Sequence, residues 1–193
     1  NALQTSAPFV HAVAPINPSE RTTTVNCRLV VQRGRNLSGN VLGPDNVPLT
    51  GVRAWGLKAN PTDSTQTLDT STFTITGLNP QQRRVVVFQH REHALAATVV
   101  ARGDEPESLS VRLAPYGTVK GRLIDAAGQP EADIEVKASI YVETKSGLLL
   151  TGIEPSFRSA TTDAHGRFTI AGILPGLNYI LTAKSENTFR TVI

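Results

Sequence analysis

The chain repeats itself, and the repeat limits the folds open to it. Leu37, Gly39 and Val41 open a segment that recurs as Val119, Gly121 and Leu123. Gly39 and Gly121, Pro48 and Pro130, and Val52 and Ile134 are each 82 positions apart. A second matched pair follows. Phe73, Ile75, Gly77, Leu78 and Pro80 parallel Phe168, Ile170, Gly172, Ile173 and Pro175, now at an offset of 95. The second copy therefore carries 13 extra residues, placed in the 142–156 region, where Lys145-Ser146-Gly147 reads as a turn and Leu148-Leu149-Leu150 as an extra or longer strand.

The landmarks favour strands. Phe73 and Ile75, like Phe168 and Ile170, alternate with small polar or neutral residues, the period of a half-buried strand. Pro44-Asp45-Asn46 and Ala127-Gly128 sit between apolar runs, where residues tolerant of positive φ close a hairpin. Pro48 and Pro130 suit the first position of a strand, where no ladder donor is lost. Gly77-Leu78 and Gly172-Ile173 end a strand in a sharp bend, and Asp163-Ala164-His165-Gly166 reads as a hairpin turn. Strong helical periodicity is missing throughout. The predicted class is all-β: tandem Greek-key β-sandwich modules of about seven strands each. The first copy places strands at 37–42, 52–57, 72–76, 85–90, 94–101 and 108–113. The second places them at 118–125, 134–142, 167–171, 179–183 and 188–193.

Cys27-Arg28-Leu29 resembles Val111-Arg112-Leu113, which closes the first copy. Residues 1–33 are thus expected to be the terminal strands of a preceding module, 34–115 the first full module and 116–193 the second, its last strand falling outside this segment. The join at Pro115-Tyr116-Gly117 is too short to let the two swing freely.

Composition describes an ordinary folded chain, 39% hydrophobic and 18% charged in 193 residues. No apolar run approaches the ~20 residues of a membrane-spanning helix. No secretion signal is visible, and the absence of methionine implies that the natural start lies outside this segment. The net charge of +3 comes from scattered arginines, and aromatic content is only 5%, so a nucleic-acid partner is not expected. The single cysteine, Cys27, can form no internal disulfide. Its place in the alternating Thr24–Val31 segment predicts a small buried hydrophobe.

The second copy carries Gly121-Arg122-Leu123, Gly128-Gln129-Pro130 and Ile134. It continues with Thr162-Asp163, Gly166-Arg167-Phe168, Ile170, Gly172-Ile173, Pro175-Gly176 and Tyr179. This pattern resembles the bacterial carboxypeptidase regulatory-like domain, a transthyretin-like or prealbumin-like β-sandwich that occurs in tandem. The first copy keeps Gly39, Pro48, Val52, Phe73, Ile75, Gly77 and Leu78. It lacks the Thr-Asp turn and the final Gly-x-Tyr, having Gln81, Gln82 and Arg84 there. The resemblance implies an accessory domain of a secreted or membrane-attached bacterial protein, hence an extracytoplasmic location, periplasmic or cell-surface. It implies fold more than mechanism.

No catalytic machinery is legible. The peptidase that lends the module its name needs His-x-x-Glu, but Ala14, His93, Ala96 and Phe168 stand three residues beyond His11, His90, His93 and His165. His90-Arg91-Glu92-His93 is read as a solvated hairpin turn and not a metal site, since residues three apart in a strand point to opposite faces. The chain ends Thr191-Val192-Ile193, unlike the Tyr-Arg-Gly-Ser terminus of transthyretin-related hydrolases. Lys120 could in principle form an isopeptide cross-link, but a solvent-facing lysine is expected. No catalytic residue, metal or cofactor is assigned.

The remaining candidate is Trp55, the sole tryptophan, in a fold class that includes starch-binding domains. Alternation groups it with Arg53 and Leu57, opposite Val52 and Ala54. Exposed and flanked by polar groups, it would be a ligand contact in a carbohydrate- or cell-wall-binding module. Buried at the module junction, it would indicate a non-catalytic spacer or docking unit. That second reading leads, with partners among domains of the same parent chain or surface proteins; polysaccharide is the alternative partner. A regulatory or sensory accessory domain of an enzyme encoded elsewhere is the third reading.

Overall fold

The computed structural model describes residues 9–10, 16–21, 24–58, 65–81, 83–104, 108–141, 153, 157–185 and 188–192. They form no helix. A short hairpin pairs β1 (Phe9–Val10) with β2 (Gln32–Arg33). Then come β3 (Arg35–Leu42), β4 (Val52–Trp55), β5 (Gln66–Leu68), β6 (Thr72–Leu78), β7 (Arg84–His90), β8 (Leu95–Ala101) and β9 (Ser108–Arg112). A two-residue β10 (Ala114–Pro115) leads into β11 (Gly117–Arg122), β12 (Glu135–Tyr141), β13 (Phe157–Thr161), β14 (Arg167–Ile173), β15 (Asn178–Ser185) and β16 (Thr188–Val192).

The first sandwich packs a three-stranded sheet, β6-β3-β9, on a sheet of order β10-β8-β7-β4-β5. Its core draws from both: Leu37, Val41, Phe73 and Ile75 meet Val52, Ala54, Val86 and Phe88, and the Phe73 and Phe88 rings lie 4.7 Å apart. The second sandwich pairs β11-β14 with β13-β12-β15-β16 around Val136, Ala138, Phe168 and Ile170. The strand order of one half is the strand order of the other, with β11 to β16 in the places of β3 to β8. The strand next to β3 on its far side, the parallel β9, has no counterpart on β11 among the described residues.

The repeated landmarks have physical causes. Gly39 lies opposite Phe73 and Gly121 opposite Phe168. In each case the phenylalanine ring lies over the glycine, so that a β-carbon there would collide with it. A bare backbone under an inward aromatic is what lets the ring reach across the sheet. The Asp163 turn forms as predicted: its carboxylate accepts from the N–H of His165 (2.8 Å) and of Arg167 (2.9 Å). The Arg167 bond, first among several causes, holds the Asp163 pKa below the ordinary carboxylate value. Asp125 builds the same loop one hairpin earlier, accepting from Ala127 (2.9 Å) and Gln129 (2.8 Å).

Several expectations need correction. Strands β5 and β13 were not foreseen; both are edge strands, and short polar segments such as Gln66-Thr67-Leu68 carry too few inward residues to register as a pattern. Residues 24–31 form no strand. Cys27 is exposed, as are Val25, Leu29, Val30 and Val31, so the buried-hydrophobe reading of the cysteine fails. Trp55 and Leu57 do not share a face: β4 ends at Trp55, Gly56 takes φ +85°, and Leu57 turns into the core. The anticipated strand at Leu148-Leu149-Leu150 lies outside the described residues.

Candidate functional site at the junction of the sandwiches

Strands β4, β7 and β8 present two faces. One carries Val52, Ala54, Val86 and Phe88 into the first core. The register Arg53↔Gln89, Trp55↔Val87, Val87↔Thr98 and Gln89↔Ala96 places the intervening residues on the opposite, outer face. An outer face in water would be polar. This one includes Trp55, Val85, Val87 and Ala96, and it is covered. Val87 and Ala96 are buried together with Ile140, Ile153 and Leu174 of the second half, while Trp55, Val85, Tyr116, Leu177 and Tyr179 pack around them.

Polar contacts fix the seat. The Thr98 hydroxyl donates to the carbonyl of Pro175 (2.8 Å), and Gly176 sits so close that an added β-carbon would lie 3.0 Å from Thr98 Cβ. The link between the halves is also held. Ala114 pairs with Ala96 and Pro115 with Leu95, and the Tyr116 N–H donates to the Ala94 carbonyl (2.9 Å). The join is thus a fifth strand of the first sandwich's larger sheet.

The bend that enters the junction is braced by Tyr179. Its hydroxyl accepts from the Leu174 N–H (2.9 Å) and donates to the Leu174 carbonyl (3.4 Å). Burial raises the pKa of this phenol above its ordinary value. At the same place in the first copy stands Arg84, 95 positions earlier. Its guanidinium donates to the Thr76 and Gly77 carbonyls, both at 2.6 Å, and so holds the strand end at Gly77; the counterpart carbonyl, Gly172, accepts instead from Arg158 Nε (3.4 Å).

The junction and its rim also hold polar atoms with no hydrogen-bond partner: Trp55 Nε1, Gln89 Nε2, Tyr116 OH and, at the end of β7, His90 Nδ1. Each such group costs roughly 1–3 kcal/mol of lost hydration. Trp55 therefore lies half-buried against the second half, with its indole N–H shut in.

The remaining candidates lie apart from this site. His93 is exposed in the turn after β7, as predicted, but His90 is buried within the strand. The turn folds His93 back so that the two rings lie 4.4 Å apart, which corrects the opposite-faces argument: the strand ends before it applies. Among the described residues no three His, Cys, Asp or Glu side chains group as metal ligands. His165 sits exposed in the Asp163 turn, and His11 lies outside the described residues. Lys120 is exposed on the outer side of β11, away from the core. No helix among the described residues is long and apolar enough to cross a membrane.

The junction residues other than Trp55 were missed in the sequence, although one signal pointed to them. Val85-Val86-Val87-Phe88 is apolar without alternation, which marks a strand buried on both faces.

Neither a protein-family model nor a curated protein matches this chain. Among solved structures, the structure of the Streptococcal ancillary pilin aligns at 15% identity with a TM-score of 0.33, covering 99% of this chain and 69% of that one. At that TM-score the likeness carries no functional argument.

Proposed function

We propose that this chain is a non-catalytic structural and docking segment of a larger extracytoplasmic bacterial protein, built from two carboxypeptidase regulatory-like modules at 34–115 and 116–193. Residues 1–33 belong to what precedes them. The shared strand order and the paired Gly–Phe landmarks support the tandem reading. The observation that carries the spacer reading is the covered apolar outer face of β4, β7 and β8, with the join hydrogen-bonded into the same sheet. Two units joined in this way behave as one body and hold whatever flanks them at a fixed separation.

Carbohydrate binding through Trp55 is the weaker reading, because the indole is engaged in the junction. Small-angle scattering of the whole chain, compared with a variant carrying Val87→Asp, tests the proposal. A rigid two-unit envelope that loosens in the variant supports it; identical, flexible profiles in both would end it. A polysaccharide titration that shifted Trp55 fluorescence saturably, and failed in Trp55→Ala, would replace it with the carbohydrate reading.

A further inference from the structure

Strand β7 ends at His90, and four residues later the chain runs back as β8. The Ala94 N–H closes this turn on the Arg91 carbonyl (3.1 Å), and Ala94 takes φ +51°, a left-handed conformation that strains an L residue. The turn brings the His93 ring to 4.4 Å from that of His90, the two planes inclined at 39°. His90 is 8% exposed and its Nδ1 is buried without a partner, whereas His93 stands in solvent. Among the described residues no hydrogen bond engages either imidazole. The nearest cation is directed elsewhere. Arg91 Nε donates to Gln89 Oε1 (3.4 Å) on the outer side of β7, while His90, two residues after Phe88, lies on the inner side.

We propose that His90 and His93 form a two-imidazole chelate for a divalent transition ion, with Cu(II) preferred. A neutral imidazole gives a lone pair from the nitrogen that carries no proton and is the commonest side-chain ligand for such ions. An imidazole bound at about 2.0–2.1 Å has its centre roughly 3 Å from the ion, so two bound at right angles stand roughly 4–4.5 Å apart, centre to centre. The two rings already have that separation. A plain ring stack shuts the His90 Nδ1 away from water with nothing in return; an ion returns it a ligand bond. Among the described residues no third His, Cys, Asp or Glu side chain joins the pair, so the other positions on the ion fall to water or to a donor from outside the chain. Two nitrogens favour the ion at the top of the divalent affinity order, Cu(II), above Ni(II) and Zn(II). They offer nothing to Ca(II) or Mg(II), which take oxygen.

The chelate reaches the junction through the backbone. Leu95, opposite His90, is paired with Pro115, and the Ala94 carbonyl accepts from the Tyr116 N–H (2.9 Å). An ion held across the turn therefore fixes the end of the β7–β8 hairpin to which the join is laddered. The site rests on the geometry of one turn and stands apart from the spacer reading: either holds without the other.

The test uses the whole chain carrying Cys27→Ser, which removes an exposed thiol that would itself take copper. Calorimetric titration with Cu(II) gives affinity, and electron paramagnetic resonance counts the nitrogens bound. One ion per chain is expected, held by two imidazole nitrogens, with Ni(II) and Zn(II) weaker and Mg(II) silent. His93→Ala alters an exposed residue and is expected to lose about ten-fold or more in affinity. His11→Ala and His165→Ala are expected to lose nothing. His90→Phe keeps a ring in the buried place and should leave a one-nitrogen spectrum; if it does not fold, His93→Ala still decides. Cu(II) should raise the melting temperature of the parent chain and not that of His93→Ala. No saturable binding, a one-nitrogen spectrum in the parent chain, or affinity unchanged in His93→Ala would overturn the proposal and leave a ring stack only.

Discussion

The larger sheets of the two sandwiches share one strand order and differ in what their outer faces carry. On β5-β4-β7-β8 the outer face presents Trp55, Val85 and Val87; at the same places on β13-β12-β15-β16 stand Lys137, Ile180 and Thr182. The first is covered. On the second, Lys137 and Thr182 are only partly buried, the Lys137 ammonium rests 3.6 Å above the Phe157 ring, and Phe157 and Tyr141 meet solvent. Docking here is therefore a property of the side chains on the outer face and not of the fold, which is common to both halves. The face that is packed is the one whose strands are apolar on both sides.

Breaking the covered face has the largest expected effect. Val87→Asp or Ala96→Asp places a carboxylate in a dry seat and should cost about 3 kcal/mol or more. Calorimetry should then show two separate unfolding transitions in place of one coupled transition. Giving the exposed face the chemistry of the covered one sharpens the comparison from the other side. Lys137→Trp with Thr182→Val should create a sticky patch, seen as concentration-dependent association in sedimentation.

The two braces come next. Tyr179→Phe removes the partner of the Leu174 N–H and should destabilise by about 1 kcal/mol. Exchange should rise at the Leu174–Leu177 bend, which enters the junction. Arg84→Met should raise exchange at Thr76 and Gly77, leaving the junction amides unchanged.

Much of this was legible in the sequence, for reasons visible in particular residues. Phe73, Ile75, Phe168 and Ile170 alternate because their strands face a core on one side and water on the other. Edge strands β5 and β13 left no such trace. The face of Trp55 could not be read by counting, because the strand stops there and Gly56 reverses the chain. Arg84, standing where the second copy has Tyr179, gave no sign in the sequence that it would hold the Thr76 and Gly77 carbonyls, while Tyr179 holds Leu174 by both N–H and carbonyl. Which outer face would be covered depended on the uninterrupted Val85–Phe88 run, a signal of a strand buried on two sides whose second partner is far away in sequence.

Smaller effects test the polar details. Trp55→Phe relieves a buried N–H that has no partner but loses part of the packed ring, so the two effects offset and stability should change by less than about 1 kcal/mol, measured by urea unfolding. The smallest effect is the pH dependence of the Asp163 turn. Its folded pKa lies below the unfolded one, so its stabilisation is present above the usual carboxylate range and is lost as pH falls through the lowered folded value. Thermal melts in acid should show this loss in the native chain and not in Asp163→Asn.

The join at β10 has a mechanical consequence. Because Ala114 and Pro115 are laddered to β8 while Pro175 is held by Thr98 of the same strand, a pull that separates the sandwiches meets no slack. Tension is handed directly from one sheet to the other, and extension begins only when the β8 contacts let go. The pair should lengthen under load in a step and not as a spring.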